Sequence, residues 1–227
     1  MIPAAGQSVR FGGTTLKQYA HLLGMPVIAH SISAVMRHQA VDSVTVALAP
    51  DDGIFEELIR PDFRAVLTVD GGETRAQTVM SGLNHIARNH PDCDWVLVHD
   101  AARPCLSTAD LDRLLSLGLE SASGAILAVP VNDTLKLADH SGHIDQTIDR
   151  ERYWAAQTPQ LFQLDALRSN LEAALAAGLT PTDEASAMEA AGVHPLLVKG
   201  SSTNIKITGT EDLALAEFIL QQQSVWE

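Results

Sequence analysis

Apolar residues recur along the chain with two periods, and segments of the two kinds alternate almost from end to end. Short apolar runs bounded by turn residues predict buried strands: SVTVALAP (43–50), AVLTVDGG (65–72), WVLVHDAA (95–102), GAILAVPV (124–131) and HPLLVKG (194–200). Helix-period segments lie between them. In PVIAHSISAVMRH (26–38), Ile28, Ile32, Val35 and Met36 share one face, and Pro26 takes the first helical position. STADLDRLLSLGLESA (107–122) opens on a cap at Ser107 or Thr108, and LDALRSNLEAALAAG (164–178) stops at Gly178. A further helix starts near Thr74. This alternation predicts an α/β fold: a Rossmann-like, mostly parallel sheet with helices on both faces, in a single domain over residues 1–227.

Two stretches depart from the pattern. Residues 133–150, DTLKLADHSGHIDQTIDR, are polar, with a Ser-Gly turn signal between two short alternating segments, and read as a β-hairpin arm leaving the body. A two-stranded polar arm is not stable alone, so it is expected to pack on another subunit. At the other end, only Met1 and Ile2 precede the small-residue turn PAAG, although such a turn is normally carried to the sheet edge by a strand. The first strand therefore reads as truncated, with its remainder expected upstream.

Composition narrows the choice of ligands. Among the 227 residues, 46% are hydrophobic and 19% charged, as in an ordinary globular chain. The 28 acids against 15 bases, a net charge of -13, argue against nucleic acid or an anionic membrane as partner, so an anionic ligand has to meet a local cluster of cations. Neither a signal peptide nor a run of about 18 apolar residues is evident, and the cytoplasm is the expected compartment. Cys93 and Cys105 lack metal or CxxC spacing and read as small core residues.

The residues able to carry chemistry cluster at predicted strand ends. PAAGQSVRFGG would let backbone N–H groups approach phosphate oxygens, with Arg10 and Lys17 supplying charge, though it is neither GxGxxG nor GxxxxGK[ST]. In WVLVHDAARP, Asp100 and Arg103 follow an apolar strand directly. The aspartate could contact ribose, a metal or a substrate hydroxyl, or could simply cap the turn. His99 should point to the opposite face and pack. GGETRAQTVMSGL sets Gly71 and Gly72 before a helix whose N-terminus and Thr78 offer donors. Arg150 ends the arm, Thr158 precedes Pro159, and Thr182 stands at a helix start where Asp183 and Glu184 favour the dipole. Lys206, between Ile205 and Ile207, reads as a residue of a short late strand whose amine must reach water or an anion. His140 and His143, in the arm's turn, lack partners at metal spacing. Four cations (Arg10, Lys17, Arg150 and Lys206) and one carboxylate (Asp100) suit phosphoryl or nucleotidyl transfer, in which positioning and charge neutralisation do most of the work.

The motifs PAAG with Arg10, LKQY, GGETRAQTV, VHDAARP, PVNDTLK, IDR, TPQLF, TDEAS and NIKIT, in this order and spacing, resemble the 2-C-methyl-D-erythritol 4-phosphate cytidylyltransferases of non-mevalonate isoprenoid biosynthesis over nearly the whole chain. The resemblance implies that the phosphate of the sugar alcohol attacks the α-phosphorus of CTP and pyrophosphate leaves. It implies that Arg10 and Lys17 stabilise the α-phosphate and that Arg150 and Lys206 position the attacking phosphate. Ala4, Ala5, Gly6, Gly72, Thr78 and Asp100 would surround the nucleotide. Asp100, Ala101, Arg103, Thr134, Arg150, Thr158 and Thr182 would meet the substrate. A divalent cation, usually Mg²⁺, would be held mainly by the triphosphate, with Asp100 on its side. The arm at 133–150 would be a dimerisation arm, bringing Thr134 and Arg150 to a neighbouring site. Ser8 stands where glycine is commoner, and Thr78 where serine is usual. The alternatives are a cytidylyltransferase for another polyol phosphate, such as ribitol 5-phosphate, and a non-catalytic nucleotide-binding relative.

Overall fold

A computed structural model describes residues 1–6 and 16–226. In chain order the elements are β1 (Ile2–Pro3), β2 (His21–Leu22), β3 (Met25–Pro26), α1 (Val27–Met36), β4 (Thr45–Leu48), α2 (Ile54–Leu58), β5 (Leu67–Asp70), α3 (Arg75–Asn89), β6 (Trp95–Val98) and α4 (Thr108–Gly118). They continue with β7 (Ala125–Pro130), β8 (Leu135–Ala138), β9 (Ile144–Ile148), β10 (Trp154–Gln163), α5 (Leu164–Ala176), α6 (Glu184–Ala190), β11 (Leu196–Lys199) and α7 (Glu211–Trp226). All five predicted strands form, and the three helices expected over 26–38, 107–122 and 164–178 form within those spans. Thr74 caps α3 through a capping box with Gln77, and Ser107 caps α4.

β1, β4 and β5 pair in parallel in the order β1-β4-β5, while β11-β7-β10-β6 form a second ladder. Met1 joins the two. Its amino group donates to the Leu97 carbonyl at 2.8 Å, and the His99 N–H donates to the Met1 carbonyl at 3.0 Å, the hydrogen-bond pattern of a parallel pair. The sheet order is thus β5-β4-β1-β6-β10-β7-β11, with β10 antiparallel to both neighbours. The chain winds one way from β1 and the other way from β6, so a topological switch point falls between them. Open α/β sheets bind ligands at that point, at the carboxyl edge.

Successive residues of each strand serve opposite faces. Val46 and Leu48, Ala125 and Leu127, and Leu161 pack with α1, α2 and α4, whereas Ala47, Val96, Val98, Ile126 and Phe162 pack with α3, α5 and α6. Helices therefore cover both faces. A smaller cluster, Leu22, Val27, Ala102, Cys105, Ile207, Ala216 and Ile219, seats α7 at the edge, and burial pushes the Cys105 thiol up to about 12.

Three local expectations fail for physical reasons, and one strand was not anticipated. Pro26 precedes α1 rather than opening it, because its ψ of 147° keeps it extended in the β2–β3 hairpin. Met36, at the end of α1, turns outward and is 38% exposed. No strand holds Lys206: the Ile205 N–H donates to Thr203 and the Ile207 N–H to Ala102, bonds that follow no ladder. β10 was hidden from pattern reading by Gln157, Thr158, Pro159 and Gln160 in its middle. The ladder to β7 shifts register between Ala156 and Gln160, which relieves Pro159 of the N–H a regular strand would need. The predicted hairpin forms within 133–150, with β8 and β9 pairing from Leu135↔Ile148 to Ala138↔Ile144. Among the described residues, no helix is long and apolar enough to cross a membrane.

Candidate active site

A cleft opens at the carboxyl edge of the sheet, over the switch point. The turn after β1, the segments after β5 and β6, and Lys206 all reach it. Ala4, Ala5 and Gly6 form one wall. The Ala4 N–H donates to the Ala47 carbonyl at 2.8 Å, and the side-chain amide of buried Gln18 donates to the Ala4 and Gly6 carbonyls at 3.1 and 3.5 Å. Lys17, which opens the 3-10 turn Lys17–Tyr19, lines the same cleft.

Two glycines after β5 allow this close packing. A Cβ on Gly71 would stand 2.7 Å from Ala5 Cβ, and one on Gly72 would stand 2.4 Å from Gln77 Cβ. Thr78, on the first turn of α3, lines the cleft with its hydroxyl already engaged. Thr78 Oγ1 accepts the Gly72 N–H at 3.1 Å and lies 2.9 Å from the Thr74 carbonyl. Its hydroxyl therefore ties the Gly72 turn to the helix.

Asp100 organises the charge. It is 8% exposed, and its carboxylate meets Lys206 Nζ at 2.7 Å, Arg75 Nη2 at 3.2 Å and Arg103 Nε at 3.8 Å. Burial alone would raise the Asp100 carboxyl, but Arg75, Lys206 and Arg103 together pull it well below the ordinary carboxylate range. Arg75 also grips Glu184 with both terminal nitrogens, at 2.7 and 3.1 Å. Burial pushes the Glu184 carboxyl up, with Arg75 drawing it back, while the two carboxylates outweigh burial at Arg75 and hold its guanidinium charged. Arg75 thereby joins the first turn of α3 to the first turn of α6.

Of the residues singled out in the sequence, Ala4, Ala5, Gly6, Lys17, Gly72, Thr78, Asp100, Ala101 and Lys206 line this one cleft. Arg103 stands behind it, donating to the Asn204 carbonyl at 2.7 Å. Thr158 lies behind Asp100 and accepts its N–H at 2.9 Å. Thr182 is exposed and sits one residue ahead of the cap of α6, which is Asp183. Thr134 and Arg150 are exposed at the base of the arm and do not line the cleft; the Arg150 guanidinium donates to the Asn132 carbonyl. Arg10 and Ser8 lie outside the described residues.

Sequence reading missed Arg75, which a capped-helix reading treats as a surface residue, and Glu184, which it treats as a dipole partner. It also missed Gln18, Gln157 and Gln160. Gln157 donates to the Ser201 carbonyl at 2.9 Å. Gln160 joins β10 to the cap of α6 through Asp183 Oδ2 and the Ala185 N–H, each at 2.9 Å. The only available signal was that three polar residues interrupt an otherwise apolar strand.

A doubly wound sheet with a small-residue turn, two lysines and a buried aspartate at its switch point defines a nucleotidyltransferase-type α/β enzyme. Comparison with known proteins gives the family. The family model described as 2-C-methyl-D-erythritol 4-phosphate cytidylyltransferase (IspD) matches residues 1–222, and the chain belongs to that family. Among curated relatives, the 2-C-methyl-D-erythritol 4-phosphate cytidylyltransferase of Shewanella amazonensis is 48% identical over 225 residues, 98% of this chain and 93% of the relative. That of Xanthomonas campestris is 49% identical over 220 residues, 97% of this chain and 83% of the relative. A crystal structure of a 4-diphosphocytidyl-2C-methyl-D-erythritol synthase superposes with a TM-score of 0.84 at 40% identity, covering 96% of each chain. The Thermus thermophilus cytidylyltransferase does so at 0.80 and 30% identity, covering 97% of each.

Proposed function

We propose that this enzyme transfers CMP from CTP to 2-C-methyl-D-erythritol 4-phosphate, giving 4-diphosphocytidyl-2-C-methyl-D-erythritol and pyrophosphate. One observation carries the reading: Lys17, Asp100, Lys206 and the Ala4–Gly6 turn share one cleft in a chain of this family. An oxygen of the substrate phosphate forms a bond to the α-phosphorus, the α–β anhydride bond breaks, and its electron pair leaves with pyrophosphate. The nucleophile is already anionic, so no general base is required.

Ala4, Ala5, Gly6 and Gly72 cradle the nucleotide, with Thr78 bracing the Gly72 turn. Lys17, together with Arg10, stabilises charge on the α-phosphate, and Lys206 receives the attacking phosphate. Asp100, Ala101 and Arg103 form the substrate side. Thr158 acts on that side through Asp100, and Thr182 borders it. Thr134 and Arg150 serve the site of a second subunit through the arm, making the working form a homodimer in the cytoplasm.

Among the described residues, no group of three or more His, Cys, Asp or Glu side chains could cage a metal. The carboxylates lining the cleft are Asp100 and Glu73. One or two carboxylates beside a triphosphate suit Mg²⁺, which binds largely through phosphate oxygens and water. When bound, the ion would neutralise charge on the triphosphate, with ionised Asp100 as its protein contact.

The test is pyrophosphate release from CTP and Mg²⁺ in the presence of methylerythritol phosphate or of ribitol 5-phosphate. Release with the first alone is expected. Release with ribitol 5-phosphate alone moves the assignment to that polyol, and release with neither makes the chain a binding module.

A further inference from the structure

We infer that His99 is a positioning residue for this reaction, closing a buried ring of hydrogen bonds that fixes Asp100 against Lys206. The inference rests on the proposed function but adds a residue with no place in the cleft. His99 is 1% exposed, on the opposite face of the strand end from Asp100.

Both imidazole nitrogens are committed. Nε2 lies 3.1 Å from the Arg103 carbonyl, which can only accept, so Nε2 carries the proton. Nδ1 is then an acceptor, and it lies 3.0 Å from Thr158 Oγ1, whose hydroxyl must donate to it. That donation turns the Thr158 oxygen toward the Asp100 N–H, which it accepts at 2.9 Å. The ring continues through the backbone. The Thr158 carbonyl accepts from Asn204 Nδ2 at 2.9 Å, the Asn204 carbonyl accepts from Arg103 Nη1 at 2.7 Å, and the Arg103 carbonyl returns to His99.

Three stretches distant in sequence, the turn at 99–103, Thr158 of β10 and the loop at Asn204, are thereby locked together. Asp100 adjoins His99, and Lys206 stands two residues beyond Asn204, so the ring sets the 2.7 Å contact between them from behind. Displacing reacting groups by about 1 Å can cost on the order of 10²-fold in rate, so a remote anchor of this kind acts on turnover.

The test uses His99→Phe, which keeps an aromatic ring and loses both bonds, and His99→Asn, which restores an acceptor near the Nδ1 position. Wild type and variants are assayed for pyrophosphate release, normalised to the CTP-binding fraction. We expect His99→Phe to lower kcat by about 10-fold or more with KM for CTP within about twofold, and His99→Asn to recover part of the loss. A folded His99→Phe protein with wild-type kcat would overturn the inference. Should His99→Phe not fold, Thr158→Val opens the ring at its next corner and reads the same way.

Amide hydrogen exchange supplies a readout that needs no turnover. In the variants, Asp100 should lose protection while the interior of α3 keeps it, and unchanged protection at Asp100 would also overturn the ring. A wild-type protein that releases no pyrophosphate would refute the proposed function and leave the ring to be decided by exchange.

Discussion

Replacing Arg75 by Met isolates the charge that the site keeps out of water. Glu184 is 2% exposed and has both carboxylate oxygens on Arg75, whereas Asp100 keeps Lys206 and Arg103 when Arg75 is lost. The dominant cost is therefore Glu184 left buried without its partner. Breaking such a pair costs about 3–5 kcal/mol, which at roughly 2–4 °C per kcal/mol for a chain of this size lowers Tm by about 6–20 °C. The loss depends on pH. Burial already raises the Glu184 carboxyl, and without Arg75 it rises further. A carboxyl whose folded pKa exceeds its unfolded value contributes stability only while protonated, and loses it as pH rises through the folded value. The variant should thus be much closer to wild type at pH 5 than at pH 8. Adding Glu184→Leu removes the stranded charge and should recover most of the loss, since a buried pair can be replaced by apolar residues at little cost. Urea melts of the four proteins of the cycle at pH 5 and pH 8 decide it. Equal destabilisation at both pH values, or additive losses in the double variant, would refute the reasoning.

Lys206→Ala should lower kcat by at least about 10²-fold with KM for CTP little changed, because its amine is assigned to the attacking phosphate; a change in KM alone would make it a uniform binding residue. Lys17→Ala should lower kcat by a similar factor, measured in the same assay. Gly71→Ala puts a Cβ 2.7 Å from Ala5 Cβ and should raise KM for CTP several-fold by displacing the Ala4–Gly6 turn, with wild-type affinity contradicting that placement. Deleting residues 138–143 from the arm should spare folding and abolish activity, and a fully active monomer by size-exclusion chromatography would refute the shared site.

The parts of the molecule that could be read from sequence are those where one local period dominates. In β4 and β7, and on α4 and α5, apolar spacing marks most of the buried residues, whereas in the edge strand β11 Leu196 and Leu197 stay exposed and only Val198 is buried. β10 defeats that reading because Gln157, Thr158 and Gln160 are buried to bond loops, not to fill the core. Lys206 shows the reverse error. Alternation around it suggests a strand, and Ile207 is indeed buried beneath it, but its neighbours' backbone bonds run to Thr203 and Ala102. At the cleft, residues next to a strand end or glycine turn were found by position. Arg75, Glu184 and Asn204 meet partners 25 to 109 residues away, which no local pattern encodes.

The central claim is that a phosphate oxygen of the sugar alcohol forms the new bond at the α-phosphorus of CTP. Methylerythritol phosphate labelled with ¹⁸O on its phosphate, turned over with CTP and Mg²⁺ and followed by ³¹P NMR, tests it directly. The account predicts ¹⁸O in the bridging position of the product diphosphate and unlabelled pyrophosphate. Label found in pyrophosphate, or CMP formed with no labelled diphosphate, would contradict it.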